Sequence, residues 1–336
     1  MKRQYSLLAM LLLAACEQEN EVYRQTHEDV FYQVPTDLVD ILWVVDNSLS
    51  MADEQAEVAD KFSDFISSVE DTDLDFHIGV ITTDMDSSDL GRGRLLGDPI
   101  YLTQDTPNYA ELFAERVQVG TKGSDREKGI DAAYTALSEP MISGSNAGFL
   151  RDGATLSIIY VSDENDCTDR GALDVYTEAQ ACYEHSDELV PVRELLADYS
   201  ELKSNGERIL VSSIVGPEIT QNCDGAVPGF RYETMAEGFG GIIGNICQDN
   251  FASIMERLGL QVSGELTSFQ LTYSATEGTI EVWVNDDSVP EDELNGWTYD
   301  TEYAIVYFHG DEIPVRDSTI AISYEIVPGS QNNTEE

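Results

Sequence analysis

Basic residues are scarce in this chain: 18 lysines and arginines stand against 64 aspartates and glutamates among 336 residues, a formal net charge of −46 at neutral pH. Nucleic acid is held mainly through cationic contacts to phosphate, so that imbalance excludes it as a partner. Histidine is also rare, and His27, His77, His185 and His309 show no spacing that reads as a metal or catalytic motif. Missing too are a GxSxG nucleophile elbow, an HExxH pair and a glycine-rich phosphate loop ending in lysine, so no enzymatic activity is expected. Carboxylate pairs such as Asp84 and Asp86 are too common in so acidic a chain to mark a hydrolase by themselves. Apolar runs long enough to cross a bilayer are absent, the amino-terminal run Leu7 to Ala15 being too short. What remains is ordinary for a globular protein, 42% hydrophobic with 9% aromatic, and supports a packed core. The acidity itself reads as adaptation to saline surroundings, because such a surface gathers cations without specifying where one binds.

Lys2 and Arg3 followed by the run Leu7 to Ala15 read as an export signal. The run ends in Leu13-Ala14-Ala15-Cys16, which resembles the lipobox of bacterial lipoproteins. That resemblance implies cleavage before Cys16, a diacylglyceryl group on its thiol, and a lipid-anchored protein of the cell envelope. Glu17 follows where an inner-membrane retention signal has Asp, which points to the outer membrane. Five cysteines leave one unpaired in an oxidising compartment, and lipidation of Cys16 resolves the parity. Cys167, Cys182, Cys223 and Cys247 then allow three pairings. Cys167 with Cys182 and Cys223 with Cys247 is expected, since each bond would staple an irregular Gly/Asp-rich excursion. Neither CxxC nor a nearby His favours a thiolate metal site.

Residues 1–15 are therefore read as a signal peptide, and 16–36 as the lipidated Cys with a polar tether. Over 37–264, buried-strand runs such as Leu38 to Val45, Phe76 to Ile81, Leu156 to Val161 and Ile209 to Val215 alternate with helical stripes, one on a helix beginning near Ser124. That alternation predicts an α/β domain with a doubly wound, mostly parallel sheet. Over 265–328 the texture changes to short alternating runs without a helical stripe, predicting a small antiparallel β domain. Residues 329–336 read as a frayed tail. Trp43 and Trp297 are expected in cores.

Three segments carry chemistry. The strand Leu38 to Val45 ends in Asp46-Asn47-Ser48-Leu49-Ser50, where alternate residues of a tight turn point one carboxylate and two hydroxyls the same way. Taken alone this pattern reads equally well as a capping turn. The strand Leu156 to Val161 ends in Ser162-Asp163-Glu164-Asn165-Asp166, adding a carboxylate on the same sheet edge, where open α/β sheets bind ligands. Between them, Gly120-Thr121-Lys122-Gly123-Ser124 precedes a helix. In this order the segments resemble the von Willebrand factor type A (vWA) family and its metal-ion-dependent adhesion site (MIDAS). The resemblance covers about Asp37 to Gly264. It implies a cation held by Asp46, Ser48 and Ser50, by Asp163 through a water, and by a loop hydroxyl from Ser124, with Thr121 as runner-up. Mg²⁺ is the implied ion, Mn²⁺ or Ca²⁺ the alternatives, and a carboxylate of a partner protein fills the open position. Asp163 to Asp166 with Asp169 lacks the glycine and terminal glutamate of an EF-hand, so calcium there would be structural. The expected function is metal-dependent binding of a partner at the cell envelope. The rival expectations are an assembly scaffold with a vestigial site and, below it, a surface metal-dependent hydrolase.

Overall fold

The computed structural model describes residues 25–33, 38–70, 74–86, 91–176, 180–203, 207–218, 225–248, 250–264, 267–301, 304–315 and 318–328. The expected signal peptide, Cys16, Cys223 and the tail 329–336 lie outside these residues.

After β1 (Thr26–Tyr32), the chain alternates β2 (Leu38–Val45), α1 (Ala52–Asp60), α2 (Phe62–Glu70), β3 (Asp75–Thr82), α3 (Tyr109–Val117), α4 (Gly129–Leu137) and β4 (Thr155–Ser162). It continues through α5 (Ala181–Glu184), α6 (Val192–Ser200), β5 (Ile209–Val215), α7 (Phe230–Gly238), β6 (Ile243–Asn245) and α8 (Ala252–Val262). Strands β2 to β6 form one parallel sheet in the order β3-β2-β4-β5-β6. Side chains alternate across a strand, so the apolar run of β2 feeds two cores at once. Ile41, Trp43 and Val45 pack with α2, α3 and α8, while Leu42 and Val44 pack on the other face with α4, α6 and α7. Trp43 is fully buried, with edge contacts to Phe65 at 5.5 Å and Phe113 at 5.3 Å. This is the doubly wound α/β architecture expected from the pattern.

The remaining strands are antiparallel: β7 (Ser268–Gln270), β8 (Glu281–Val284), β9 (Asp287–Val289), β10 (Gly296–Asp300), β11 (Ile305–His309) and β12 (Thr319–Glu325). They make a four-stranded sheet, β1-β12-β8-β9, and a three-stranded one, β10-β11-β7. The two enclose a third core that includes Trp297, Phe308, Ile322 and Tyr324.

Two expectations need correction. Thr26–Tyr32 lies inside the stretch read as a tether, yet it pairs along its whole length with β12. Asp29 anchors it: its carboxylate accepts from the Thr272 amide at 2.9 Å, the Thr272 hydroxyl at 2.6 Å and the Tyr324 hydroxyl at 2.7 Å. The helix expected near Ser124 begins instead at Gly129. Residues 124–128 are held off the helix by β3, because the Lys128 amide donates to the Thr83 carbonyl at 3.1 Å and the Thr83 hydroxyl donates to Glu127.

Candidate metal centre

In this sheet the chain leaves β2 toward β3 and later returns to the other side of β2 as β4. The β2–β4 seam is therefore a topological switch point, and the loops at its carboxyl end diverge to leave a crevice. Val45 is in register with Val161, which brings Asp46 opposite Ser162. The Asp46 amide extends the ladder by donating to the Val161 carbonyl at 2.9 Å.

Asp46 is fully buried and both its carboxylate oxygens are engaged. Oδ1 accepts from the Ser48 amide at 2.7 Å, closing the turn, and Oδ2 accepts from the Ser162 hydroxyl at 2.6 Å. The Ser48 and Ser50 hydroxyl oxygens lie 3.3 Å apart, and Ser50 is near enough to Asp163 for its hydroxyl to oppose the rise of that carboxyl. Asp163 is 4% exposed, and its Oδ1 is buried with no hydrogen-bond partner. Asp46, Ser48, Ser50 and Asp163 thus form one contiguous cluster at the ends of two parallel strands.

The cluster is crowded with negative charge. Burial pushes the Asp46 carboxyl up to about 6, and the nearby Asp163 adds to the rise against the Ser162 and Ser48 hydrogen bonds. Burial raises Asp163 as well. Glu164 is pushed up to about 7 by burial and by the charges of Asp46, Asp163 and Asp125. Glu127, beneath the same edge, is raised well above the usual carboxylate range by burial and then by Asp46.

The surrounding frame is braced. Gln55 of α1 donates to the carbonyls of Asp46 at 2.8 Å and Gly120 at 2.9 Å, and accepts from the Gly120 amide at 3.2 Å. The Gly123 amide donates to the Asn47 carbonyl at 2.7 Å, and a Cβ at Gly123 would collide with the Asn47 side chain. On the β4 side, Asp166 pairs with Arg231 at 3.1 Å and Asp169 with Lys128 at 2.7 Å. Asp166 also accepts from the Ile130 amide at 3.0 Å in the first turn of α4. These two aspartates are therefore engaged in holding the loop together. The Cys167–Cys182 disulfide closes the same loop, with Cα atoms 5.5 Å apart. Cys247 is also disulfide-bonded, and its partner lies outside the described residues.

The loop hydroxyls divide. Ser124 donates to Asp86 Oδ2 at 2.8 Å and accepts from the Arg126 amide at 3.1 Å, so its hydroxyl is engaged by partners outside the Asp46 cluster. Thr121 is half-buried, in a loop fastened to the Asp46–Asn47 turn through Gly120 and Gly123. Sequence reasoning missed Ser162, Gln55 and Glu127. Ser162 was legible as the last residue of a strand paired with β2, whereas Gln55 and Glu127 belong to no motif.

A divalent ion fits this donor set. A buried carboxylate oxygen without a donor, two adjacent hydroxyls and a second carboxylate raised by burial and, beyond that, by a like charge are what a hard cation would satisfy. No group of three or more His, Cys, Asp or Glu side chains among the described residues is arranged to hold a metal, so an ion here depends on the hydroxyls. No described helix is long and apolar enough to cross a membrane.

No family model matches the chain, and no curated protein matches it. Similar solved structures include the open conformation of the pilus adhesin SpaC from Lactobacillus rhamnosus GG, at 12% identity and a TM-score of 0.42, covering 90% of this chain and 41% of that one. A von Willebrand factor type A from Catenulispora acidiphila is similar at 11% identity and a TM-score of 0.38, covering 93% of this chain and 68% of that one. The pilus adhesin RrgA from Streptococcus pneumoniae is similar at 10% identity and a TM-score of 0.39, covering 94% and 60%. The chain spans about two-fifths of SpaC and three-fifths of RrgA, and similarity at this level carries nothing beyond the architecture already described.

Proposed function

We propose that this protein is a vWA-type binding protein of the cell envelope that holds a divalent cation at Asp46, Ser48, Ser50 and Asp163 and through it grips a carboxylate on a partner protein. The single observation carrying this reading is the buried, donorless Oδ1 of Asp163 beside the Ser48–Ser50 hydroxyl pair. Mg²⁺ suits a donor set of hydroxyls and few carboxylates, with Mn²⁺ or Ca²⁺ as substitutes. When bound, the ion supplies an under-neutralised electrophilic position that an incoming carboxylate oxygen completes. Ser162 and the Ser48 amide hold Asp46 in one orientation, and Gln55 locks the turn against the 120–123 loop. Thr121 is the loop hydroxyl we assign to the site, since Ser124 would have to leave Asp86 to serve. The amino-terminal segment carries a lipid anchor on Cys16 that holds the protein at the outer membrane, and the antiparallel sheets form a second, smaller unit. The protein acts by binding rather than catalysis.

The test is calorimetric titration of Mg²⁺ into wild type, Asp46→Ala and Asp163→Asn. Binding by wild type alone is the expected result, and silence in all three rejects the reading. The rival scaffold reading draws on Ser124 giving its hydroxyl to Asp86. It requires capture of a partner that persists in EDTA.

A further inference from the structure

Side chains alternate along β11, so Val306 and Phe308 enter the third core while Ile305, Tyr307 and His309 lie on the opposite face. Strand register extends that outer face sideways: Tyr307 stands between Thr298 and Ser268, and Ile305 between Asp300 and Gln270. A face so rich in polar groups cannot be sealed into a dry core without partners for them. What it meets is Arg257 of α8, whose guanidinium carbon lies 5.5 Å from the centre of the Tyr307 ring. Ile254, Met255 and Leu258 of the same helix turn instead into the first core.

Between this face and α7, β6 and α8 lies a cavity of about 280 Å³, bordered by Arg257, Tyr307, Ile305, Ile243, Glu233 and Glu237. That is near the lower end of the range that small-molecule sites occupy, roughly 300 to 1,000 Å³, and too little for a folded segment of a partner. Opposite charges border it without neutralising one another. Burial pulls Arg257 below the usual guanidinium range, and only Tyr307 opposes the fall. Burial raises Glu233 and Glu237, and the charge of Glu237 raises Glu233 further. Among the described residues, no ion pair joins Arg257 to a carboxylate or either glutamate to a cation. The two glutamates stand one turn apart on α7, where like charges repel. A molecule carrying one charge of each sign would relieve both ends.

We propose that this cavity binds a small amino carboxylate, with its carboxylate on Arg257, its ammonium group at Glu233 and Glu237, and its apolar chain against Ile243 and Ile305. The guanidinium fork matches a carboxylate in two parallel hydrogen bonds, and the Tyr307 ring beside it limits its orientations. The site is independent of the cation reading above, since it shares no residue with the Asp46 cluster.

The experiment is calorimetric titration of the full chain in EDTA with ε-aminohexanoate, hexanoate and hexylamine. The amino carboxylate is expected to bind at least about tenfold tighter than either single-ended probe, the scale of one charge-assisted hydrogen bond. Arg257→Gln should bind ε-aminohexanoate no better than hexylamine. The double variant Glu233→Gln, Glu237→Gln, which alters only partly exposed side chains, should bind it no better than hexanoate and keep the wild-type melting curve. It therefore tests the site even if Arg257→Gln fails to fold. No heat from ε-aminohexanoate at millimolar concentration overturns the proposal. So does equal affinity for the three probes, or wild-type affinity in the glutamate variant. Because EDTA is present throughout, failure here leaves the Mg²⁺ titration untouched, and failure there leaves this site standing.

Discussion

Strand β2 carries two fully buried aspartates, Asp40 near its amino end and Asp46 just past its carboxyl end, and the molecule treats them in opposite ways. Asp40 meets Arg151, whose Nε donates at 2.7 Å and whose amide donates at 2.6 Å, with His77 at 3.7 Å. Arg151 also bridges to Asp75 at 2.8 Å and to the Val39 carbonyl at 2.8 Å, closing that sheet edge. Asp46 meets only neutral donors and, beyond them, another carboxylate. Burial raises both carboxyls, but Arg151 opposes the rise at Asp40 while Asp163 adds to it at Asp46. A buried charge left without a counter-charge costs stability, so Arg151 holds the fold at one end of the strand, while at the other the proposed cation would supply the missing counter-charge.

Breaking the satisfied end should cost most. Arg151→Ala leaves Asp40 buried without its guanidinium partner, and urea unfolding should show a loss of about 3 kcal/mol that EDTA does not alter. An unchanged midpoint would erase the contrast. The unsatisfied end should respond with the reverse sign. A carboxyl whose folded pKa is raised to about 6 from 3.8 lends stability below about pH 4 and loses it as pH rises through about 6. In EDTA at neutral pH, Asp46→Asn should therefore be more stable than wild type, by on the order of 3 kcal/mol, with the gap closing toward pH 4. Its Mg²⁺ binding should be lost. A variant less stable than wild type in EDTA at neutral pH would show that Asp46 is already compensated. Mg²⁺ itself should raise the wild-type melting temperature by an amount equivalent to about 2.7 kcal/mol at a hundredfold excess over its dissociation constant, and leave Asp46→Asn unmoved.

The same contrast governs what could be read without a structure. The β2 and β4 runs were legible because both faces are buried, as the split of Ile41, Trp43 and Val45 from Leu42 and Val44 shows. Half of the candidate site was legible for a related reason: alternation along a turn at a strand end places Asp46, Ser48 and Ser50 by local geometry alone. What escaped depends on distant partners. β1 hides an inward Asp29 whose donors sit at Thr272 and Tyr324, far along the chain. α7 is short, and its buried Tyr232, Met235 and Ala236 leave only a brief stripe beside an exposed Phe230. The conformation of 120–128 is decided by Gln55, Asn47 and Thr83, none of which lies in that segment.

That loop supplies the smallest of the expected effects. Both Thr121 and Ser124 offer a hydroxyl, but Ser124 is bonded to Asp86 while Thr121 lies between two glycines tied to the Asp46 turn. Thr121→Val keeps the side-chain shape and removes one oxygen donor, so Mg²⁺ affinity should fall about tenfold, the scale of one lost hydroxyl interaction of about 1.4 kcal/mol. Ser124→Ala should change affinity by less than about twofold, because the lost bond to Asp86 is exposed. Calorimetry on the pair decides the assignment. If Ser124→Ala carries the loss instead, the loop turns over on binding, and the empty and loaded forms of this edge differ as much as its two aspartates do.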